Sequence, residues 1–342
     1  MPEISIIIVN WNGKHFLETC LEALRQQTFR DFESILVDNG SADGSIEYVR
    51  DQFPEIRVMP LDSNVGFAAA NNAGYAQCSG ALIVLLNNDT EAHPSWLEEI
   101  HKASTKFLSA SSFACKMMYF DDRARLDNCG FGLTSAGLTM DLGRDQLDGP
   151  AWSEPRKVFG ACGGAAVYRR KMLEDVGLFD PDFFMTYEDV DLSFRGQLRG
   201  HECVFVAQAV VYHHYRATMA KYPAKQTFFS QRNIELVYLK NMPFSLILRS
   251  LPQRLLYELG GAVYFSKKGV GTAYFKAKVE VLKILPSILK KRRSLQTGRK
   301  ISSSHLLSIM VRENWLSEKL KKLCSAWRDP SRRAVRNAHL PS

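Results

Sequence analysis

The stretch ALIVLLNNDT, residues 81–90, joins an unbroken apolar run to a polar group. An apolar run of this length is typical of a strand that is buried on both faces of a parallel sheet. Asn87, Asn88 and Asp89 would then lie at the carboxyl edge of the sheet, where α/β proteins bind their ligands. One carboxylate beside two amides suits a hard divalent cation, but Asn and Asp are also common in plain turns.

The same pattern, a strand that opens onto polar residues, occurs repeatedly before this stretch. Strands are predicted over residues 4–9, 32–37, 56–59 and 82–86, and the apolar residues between them recur at helical spacing. Strands that alternate with helices predict an α/β fold with a doubly wound, mainly parallel central sheet and right-handed crossovers. The polar residues after each strand are therefore expected to converge at one edge of the sheet.

Two common nucleotide-binding motifs are missing from the sequence. No G-x-G-x-x-G follows the first predicted strand, and no G-x-x-x-x-G-K-[ST] is present. These absences argue against a nicotinamide-dependent dehydrogenase and against a P-loop enzyme.

Charge divides the chain into two unlike parts. Residues 1–240 hold 23 Lys and Arg against 31 Asp and Glu, whereas residues 241–342 hold 21 against 5. The acidic first part lacks the basic face that polyanions require, so no nucleic-acid partner is expected. The seven cysteines include no C-x-x-C pair, and the first strand pattern begins without a basic leader, so we expect a cytoplasmic protein without a signal peptide.

The basic part contains two amphipathic segments, which predict a C-terminal helical extension. Their apolar residues are spaced by three or four: Phe244, Leu248, Leu251, Leu255, Leu259 and Val263, then Phe275, Val279, Leu282 and Leu289. Neither segment has the charge-free length of a transmembrane helix. We expect peripheral contact with the inner face of an anionic membrane. The alternative is that the segments pack on the rest of the chain or on a second copy.

Five ordered motifs together resemble the family-2 glycosyltransferases of the GT-A fold, in particular their bacterial rhamnosyltransferase-like branch. They are Asn10-Trp11-Asn12-Gly13, Asp38-Asn39-Gly40-Ser41, Asn64-Val65-Gly66-Phe67-Ala68, Asn87-Asn88-Asp89 and Tyr187-Glu188-Asp189-Val190-Asp191. The resemblance covers residues 4–241 and ends in Gln231-Arg232-Asn233 and Lys240-Asn241. It implies a nucleotide-sugar-binding half over residues 1–110 and an acceptor-binding and catalytic half over 111–241, followed by the basic amphipathic helical tail, 242–342.

The resemblance implies which residues bind the donor and a divalent cation, Mg²⁺ or Mn²⁺. The nucleotide-sugar would contact Asn10, Asn12, Asp38, Asn39, Gly66, Phe67, Asn72, Asn87 and Asn88. The cation would be held by Asp89 and by a histidine at the end of a later strand, for which we favour His213 over His214. Asn87 stands where the family's D-x-D motif has its first carboxylate, so cation binding should depend on the nucleotide diphosphate itself. Asp38 also suits an Asx turn, and Asp43 suits a helix start.

An acid cluster supplies the candidate base. A sugar hydroxyl is a poor nucleophile, so transfer needs a base within about 2.6–3.2 Å of it. The resemblance places that base at Asp189. Acceptor binding is predicted for Glu188, Asp191, Gly163 and Gly164. Acids are also favoured in the first turn of a helix, and Asp191 can pair with Arg195 one turn later.

The resulting hypothesis is an inverting, metal-dependent glycosyltransferase that moves a sugar from a nucleotide-diphosphate donor to a glycan or lipid-linked glycan in cell-surface polysaccharide synthesis. Two alternatives remain. A sugar nucleotidyltransferase would need a Gly-rich basic loop after the first strand, and residues 10–13 contain no basic side chain. A non-catalytic membrane-surface protein would not need the acid cluster.

Overall fold

The computed structural model describes residues 1–214 and 222–311, so the tail beyond residue 311 lies outside the described residues. The strands are β1 (Ile4–Asn10), β2 (Phe32–Asp38), β3 (Arg57–Pro60), β4 (Leu82–Asn87), β5 (Thr90–Ala92), β6 (Ala110–Tyr119), β7 (Leu126–Asn128), β8 (Phe131–Leu133), β9 (Thr139–Asp141), β10 (Arg156–Val158), β11 (Ala165–Arg169) and β12 (Glu202–His213). The α-helices are α1 (Lys14–Arg25), α2 (Ser45–Gln52), α3 (Phe67–Tyr75), α4 (Trp96–Lys106), α5 (Arg170–Val176), α6 (Glu188–Arg199), α7 (Pro223–Asn241), α8 (Phe244–Lys267), α9 (Gly271–Thr297) and α10 (Ser303–Ile309).

One ten-stranded sheet forms the centre of the molecule. Its order is β10-β12-β6-β11-β4-β1-β2-β3, with β5 paired to β12 and β7 paired to β6. Strands β1 to β4 pair in parallel, β12 is parallel to β6, and β11 runs antiparallel between β4 and β6. The predicted doubly wound, mainly parallel sheet is confirmed. Because β1 lies between β2 and β4, the topological switch point falls at the carboxyl ends of β1 and β4.

The two faces of the sheet are buried under different helices. Ile6 and Ile8 of β1 point into a core shared with α1, α2 and α4. Ile7 of β1 and Ile35 of β2 point into a second core that includes residues of α3 and α5. Burial on both faces explains why the strand sequences are apolar throughout rather than alternating.

The sheet continues through both halves that the sequence predicted. The predicted boundary after residue 110 falls at the start of β6, which is hydrogen-bonded to β11 and β12. The small-residue segment 159–168 contains most of β11. Strand β12 is long and has an irregularity between Val206 and Val210.

The described part of the tail, residues 242–311, is helical as predicted, and one of its faces packs on the α/β unit. Leu246, Ile288 and Leu306 share a core with Phe183 and Val190, and α9 lies along α7. The alternative of packing on the chain is therefore correct for this face. Among the residues that the structure describes, no helix is long and apolar enough to cross a membrane.

Candidate functional site

Polar side chains from the ends of β1, β2 and β4 interlock at the switch point. Asn10 Nδ2 donates to Asp38 Oδ2 at 2.9 Å, and Asn10 Oδ1 accepts from Asn88 Nδ2 at 2.7 Å. Asp38 Oδ1 accepts from the backbone N–H of Ser41 at 2.9 Å. The bond from Asp38 reaches three residues along the chain, one more than in an Asx turn, and Asn10 joins all three strand ends. Both side chains are fully buried, so their direct contact with a donor stays a prediction.

The other asparagines of this edge shape the surrounding loops. Asn12 has a φ of 49° and accepts from the Ala42 N–H at 2.8 Å. Asn39 Oδ1 accepts from the Val65 N–H at 2.9 Å, and its Nδ2 donates to the Gly66 carbonyl at 3.4 Å. These bonds hold two loops at the sheet edge next to each other.

Two further predictions concern residues at helix positions. Asp43 accepts from the first N–H groups of α1 and α2, those of Lys14 and Ser45, at 2.9 and 3.2 Å, which is the helix-start role expected. In Asn72, Nδ2 donates to the Phe179 carbonyl at 2.8 Å and Oδ1 accepts from the Phe179 N–H at 3.0 Å. The amide thus joins α3 to the backbone of Phe179, and contact of Asn72 with a donor stays a prediction.

The predicted nucleotide-sugar-binding half, residues 1–110, is called the donor half below, and Glu188, Asp189 and Asp191 form the acid cluster. The two meet at two glycines. Gly66 has a φ of 88°, and a Cβ there would lie 2.5 Å from the carbonyl oxygen of Phe184. A Cβ on Gly163 would lie 3.5 Å from the Phe67 ring and 3.5 Å from Asp189 Oδ2. Backbone can approach this closely because glycine has no side chain. Phe67 and Asp189, which are far apart in sequence, therefore flank the same glycine.

Asp189 is held by backbone donors and remains half-buried. Its Oδ2 accepts from the Gly163 N–H and its Oδ1 accepts from the Val190 N–H, both at 2.8 Å. Burial raises the pKa of Asp189 above its usual range, against the effect of these two hydrogen bonds. A carboxylate with a raised pKa is a stronger base.

Glu188 is buried beside Asp189. The residue is 6% exposed, and its Oε2 has no hydrogen-bond partner within the part of the chain that the structure describes. Burial and the neighbouring Asp189 raise the pKa of Glu188 to about 8. Acceptor contact by this side chain stays a prediction.

Asp191 cannot bind an acceptor in this structure, contrary to its prediction. It is fully buried, and its oxygens accept from Arg195 Nε, Lys240 Nζ and Asn241 Nδ2, each at 2.8 Å. Burial alone would raise its pKa, but Lys240 and Arg195 hold it below the usual range. The pair with Arg195 that the spacing suggested is confirmed, and Asp191 fastens α6 to α7.

His213 and Asp89 approach each other at the end of β12. His213 Nε2 lies 3.4 Å from Asp89 Oδ1, and His213 Nδ1 lies 2.7 Å from Asp127 Oδ2. Burial opposes the charged imidazolium, but the bonds to Asp127 and Asp89 outweigh it and raise the pKa of His213 to about 9. The ring of His214 instead stacks on Phe120. Of the two histidines, His213 is the one that faces Asp89.

These residues fit a divalent cation that takes part of its ligands from a bound diphosphate. Asp89 offers a carboxylate and His213 an imidazole nitrogen, while Asp127 binds the other ring nitrogen, the usual way of orienting a metal-binding histidine. Within residues 1–214 and 222–311, no group of three or more His, Cys, Asp or Glu side chains is arranged to hold an ion. Such a cation would need further ligands from phosphate and water.

The two remaining small residues lie against the sheet edge. The Asn87 N–H donates to the Gly164 carbonyl at 2.9 Å, and a Cβ on Gly164 would lie 3.3 Å from Asn87 Nδ2. The structure therefore brings Gly164 next to Asn87 and Gly163 next to Asp189.

One functional residue, Asn233 of α7, was not recognised as such in the sequence. It supports segment 183–187, which leads into the acid cluster. Three non-glycine residues of the segment have φ values of 58°, 63° and 68°, in the left-handed region: Phe184, Thr186 and Tyr187. The buried Nδ2 of Asn233 lies 2.8 Å from the carbonyl oxygens of Phe183, Met185 and Thr186. The sequence signal that could have identified Asn233 is its place in the motif Gln231-Arg232-Asn233, at the end of the family resemblance.

Comparison with known proteins gives a family match and several relatives. The model of the family described as "Glycosyl transferase family 2" matches residues 5–177. The O-antigen biosynthesis protein RfbC of Myxococcus xanthus is 28% identical over 227 residues, which are 64% of this chain and 18% of RfbC. The N-acetylglucosaminyl-diphospho-decaprenol L-rhamnosyltransferase of Mycobacterium tuberculosis is 26% identical over 250 residues, which are 65% of this chain and 79% of that enzyme.

Solved structures share the fold at low sequence identity. GalNAc-T7, solved with UDP, GalNAc and Mn²⁺, superposes with a TM-score of 0.55 at 18% identity and covers 70% of this chain and 48% of that chain. Residues 1–349 of S. aureus TarS, in complex with UDP, superpose with a TM-score of 0.50 at 13% identity and cover 82% and 91%. The chain thus spans less than a fifth of RfbC and about half of the GalNAc-T7 structure.

Proposed function

The chain belongs to glycosyl transferase family 2, and on this basis we propose that it moves a sugar from a nucleotide-diphosphate donor to a glycan or lipid-linked glycan in cell-surface polysaccharide synthesis. The observation that carries the proposal is the meeting of Phe67 and Asp189 at Gly163. It brings a candidate base beside the donor-binding motifs. The names of the two relatives support an acceptor of this kind and make rhamnose one candidate sugar.

Asp189 is proposed as the base of a single displacement that inverts the anomeric configuration. Its carboxylate takes the proton of the acceptor hydroxyl while the oxygen forms a bond to the anomeric carbon. The bond from that carbon to the diphosphate breaks, and the diphosphate leaves with the electron pair. The backbone bonds from Gly163 and Val190 fix the carboxylate, and its raised pKa favours proton transfer.

Asp89 and His213 are proposed to hold Mg²⁺ or Mn²⁺ together with the donor. When bound, the cation would neutralise charge that develops on the departing diphosphate. Asp127 keeps the His213 ring oriented through Nδ1, which leaves Nε2 directed at Asp89. Asn88 and Asn10 hold the strand ends on which this pair depends.

The test of the base is the variant Asp189→Asn, with the exposed acid substitution Glu174→Gln as a control. A thermal-shift screen of nucleotide sugars, with and without Mn²⁺, first identifies the donor. We expect Asp189→Asn to bind that donor as the wild type does and to lose roughly 10²–10⁴-fold in kcat, because the amide cannot accept a proton. Wild-type turnover by Asp189→Asn, or a product with retained configuration, would contradict the mechanism.

We also propose that the protein works in the cytoplasm, in peripheral contact with an anionic membrane. Among the described residues, six cysteines are free thiols, which suits a reducing compartment. A lipid-linked acceptor would itself lie at a membrane surface.

A further inference from the structure

Helix α8 exposes an apolar stripe along its length. Large apolar side chains recur every three or four residues and lie at the surface: Phe244, Leu248, Leu251, Leu255, Leu259 and Val263. Leu259 is 67% exposed, whereas Leu246, Ser250 and Arg254 are buried. An exposed apolar surface of this extent indicates a binding partner.

Helix α9 exposes a second stripe of the same kind. Its members are Phe275, Val279, Leu282 and Leu289, and Leu282 is 69% exposed. The other side of α9 is buried through Tyr274, Ala277, Val281 and Ile288. Each helix therefore has two sets of apolar residues. One set packs inward on the protein, and the other forms a stripe that is directed away from it.

The two stripes face the same side of an antiparallel hairpin. The ring of Tyr274 stacks on Phe265, and its hydroxyl donates to Glu258, which also pairs with Lys278 at 2.6 Å. Phe265 of α8 contacts Tyr274 of α9, and the earlier residue Glu258 contacts the later residue Lys278, so the two helices are antiparallel. Successive residues lie about 100° apart around a helix axis. On each helix, the stripe lies roughly a quarter-turn away from the residues that contact the other helix. The rotation is in the direction of increasing residue number on both helices. In an antiparallel pair, that rotation directs both stripes to one side.

Basic side chains line the outer flanks of this apolar side. Lys276, Lys283 and Lys290 recur every seven residues along α9, are exposed, and lie beyond its stripe on the flank away from α8. Arg249 and Lys267 occupy the corresponding flank of α8. Residues 242–311 hold 13 Lys and Arg against two acidic residues. The face is therefore apolar in the middle and positively charged at its edges.

The opposite side of the hairpin is fastened to the catalytic part of the chain. Val281 and Ile288 share a core with Phe183, and Lys291 pairs with Asp180 at 2.7 Å. The hairpin is thus packed on the segment that leads into the acid cluster, so its orientation sets the orientation of the site.

We propose that the α8–α9 hairpin docks the enzyme on a bilayer with anionic headgroups, with both stripes in the interface and the basic flanks at headgroup level. This rests on the proposed function, because a docked enzyme would meet a lipid-linked acceptor. A second copy of the chain is a poorer occupant, since joining two such faces would bring their lysine rows together. An anionic surface complements the same lysines.

The test uses the full-length protein in co-sedimentation with vesicles and without nucleotide. The vesicles contain phosphatidylcholine alone or an equal mixture with phosphatidylglycerol. The double variant Leu255→Glu/Leu282→Glu places charges on both stripes at exposed positions. Leu108→Glu is its matched control, because Leu108 is 80% exposed and lies in the turn before β6.

We expect the wild type to bind the mixed vesicles far more tightly than phosphatidylcholine alone. The double leucine variant should lower the partition coefficient by about 100-fold or more, and the control should leave it within about twofold. Reversing the three lysines of α9 to glutamate should also lower it by about 100-fold, whereas the exposed substitution Lys171→Glu should not.

Three results would overturn the proposal. They are equal binding of the wild type to both kinds of vesicle, undiminished binding by the double leucine variant, and a dimer in sedimentation velocity that the same variant dissociates. The last result would assign the stripes to a second copy.

A separate titration keeps the proposed function distinguishable from the docking surface. Calorimetry with a nucleoside diphosphate and Mn²⁺, without vesicles, should give wild-type affinity for every hairpin variant. A wild type that binds no nucleoside diphosphate but still binds anionic vesicles would refute the proposed function and support the docking surface.

Discussion

Removing the side chain of Asn233 should both destabilise the protein and displace Asp189, and the two effects can be measured separately. The amide nitrogen of Asn233 carries two N–H bonds and lies 2.8 Å from three carbonyl oxygens of segment 183–187. In Asn233→Ala these carbonyls lose their donors in a buried setting. The segment ends immediately before Glu188, so any shift in it moves the start of α6.

The expected magnitudes follow from these contacts. Two buried hydrogen bonds contribute ~2 kcal/mol, and the carbonyls left unsatisfied add to the loss. We therefore expect the free energy of unfolding to fall by about 2–4 kcal/mol. The three left-handed residues of the segment store roughly 1–2 kcal/mol each. Without the donors that hold this strained backbone, the segment should shift to a new path in the variant.

Relaxation of the segment should displace Asp189 and lower kcat. A misplacement of about 1 Å can cost 10²-fold in rate, while the donor loops held by Asn39 and Asp38 stay in place. We expect kcat to fall by roughly 10²-fold with donor affinity changed less than tenfold. Urea unfolding measures stability, calorimetry measures donor binding, and turnover is measured at a temperature where the variant is fully folded.

Ser230→Ala is the matched control for this variant. Its hydroxyl lies on the same helix and bonds to the Thr227 carbonyl of that helix, so both kcat and stability should stay close to those of the wild type. If Asn233→Ala loses the expected stability but keeps kcat within about threefold, Asn233 only fills the core and the reasoning fails. Unchanged stability would equally refute it.

Two further predictions concern the acids of the site. Glu188 ionises only at a raised pKa in the folded protein, so its contribution to folding stability should be greatest below pH 4.5 and fall by up to about 5 kcal/mol between pH 4.5 and 8. Urea unfolding of Glu188→Gln should lack this decline relative to the wild type, and parallel pH profiles would show that Glu188 does not cause it. Asp89→Ala should keep the fold, but its affinity for a nucleoside diphosphate in the presence of Mn²⁺ should be at least about tenfold lower than that of the wild type. Unchanged calorimetric affinity with Mn²⁺ would mean that residues 87–89 are a structural turn.

The sequence predicted the donor half of the sheet because the relevant signals there are local. An apolar run followed by Asn, Asp and Gly identifies both the strand and its carboxyl end. For this reason the amino-acid pattern alone was enough to expect that Asn10, Asp38 and Asn88 would meet. The first turn of α6 was equally readable from the acids that open it.

The parts that the sequence did not predict depend on partners far along the chain. Strand β11 has small residues that suit a loop, and it is a strand because β4 and β6 lie on either side of it. Asp191 is withdrawn from the acceptor by Lys240 and Asn241, about fifty residues later. Asn72 is bonded to Phe179, more than a hundred residues away. No local pattern contains such pairings.

The sheet that runs through both halves also limits how the enzyme can move. Strand β4 is hydrogen-bonded to β1 on one edge and to β11 on the other, from the Ala165–Leu86 pair to the Arg169–Leu82 pair. A hinge between the halves would have to break this ladder. Substrate entry and product exit must therefore occur by rearrangement of loops above a stationary sheet rather than by the closure of one domain on another.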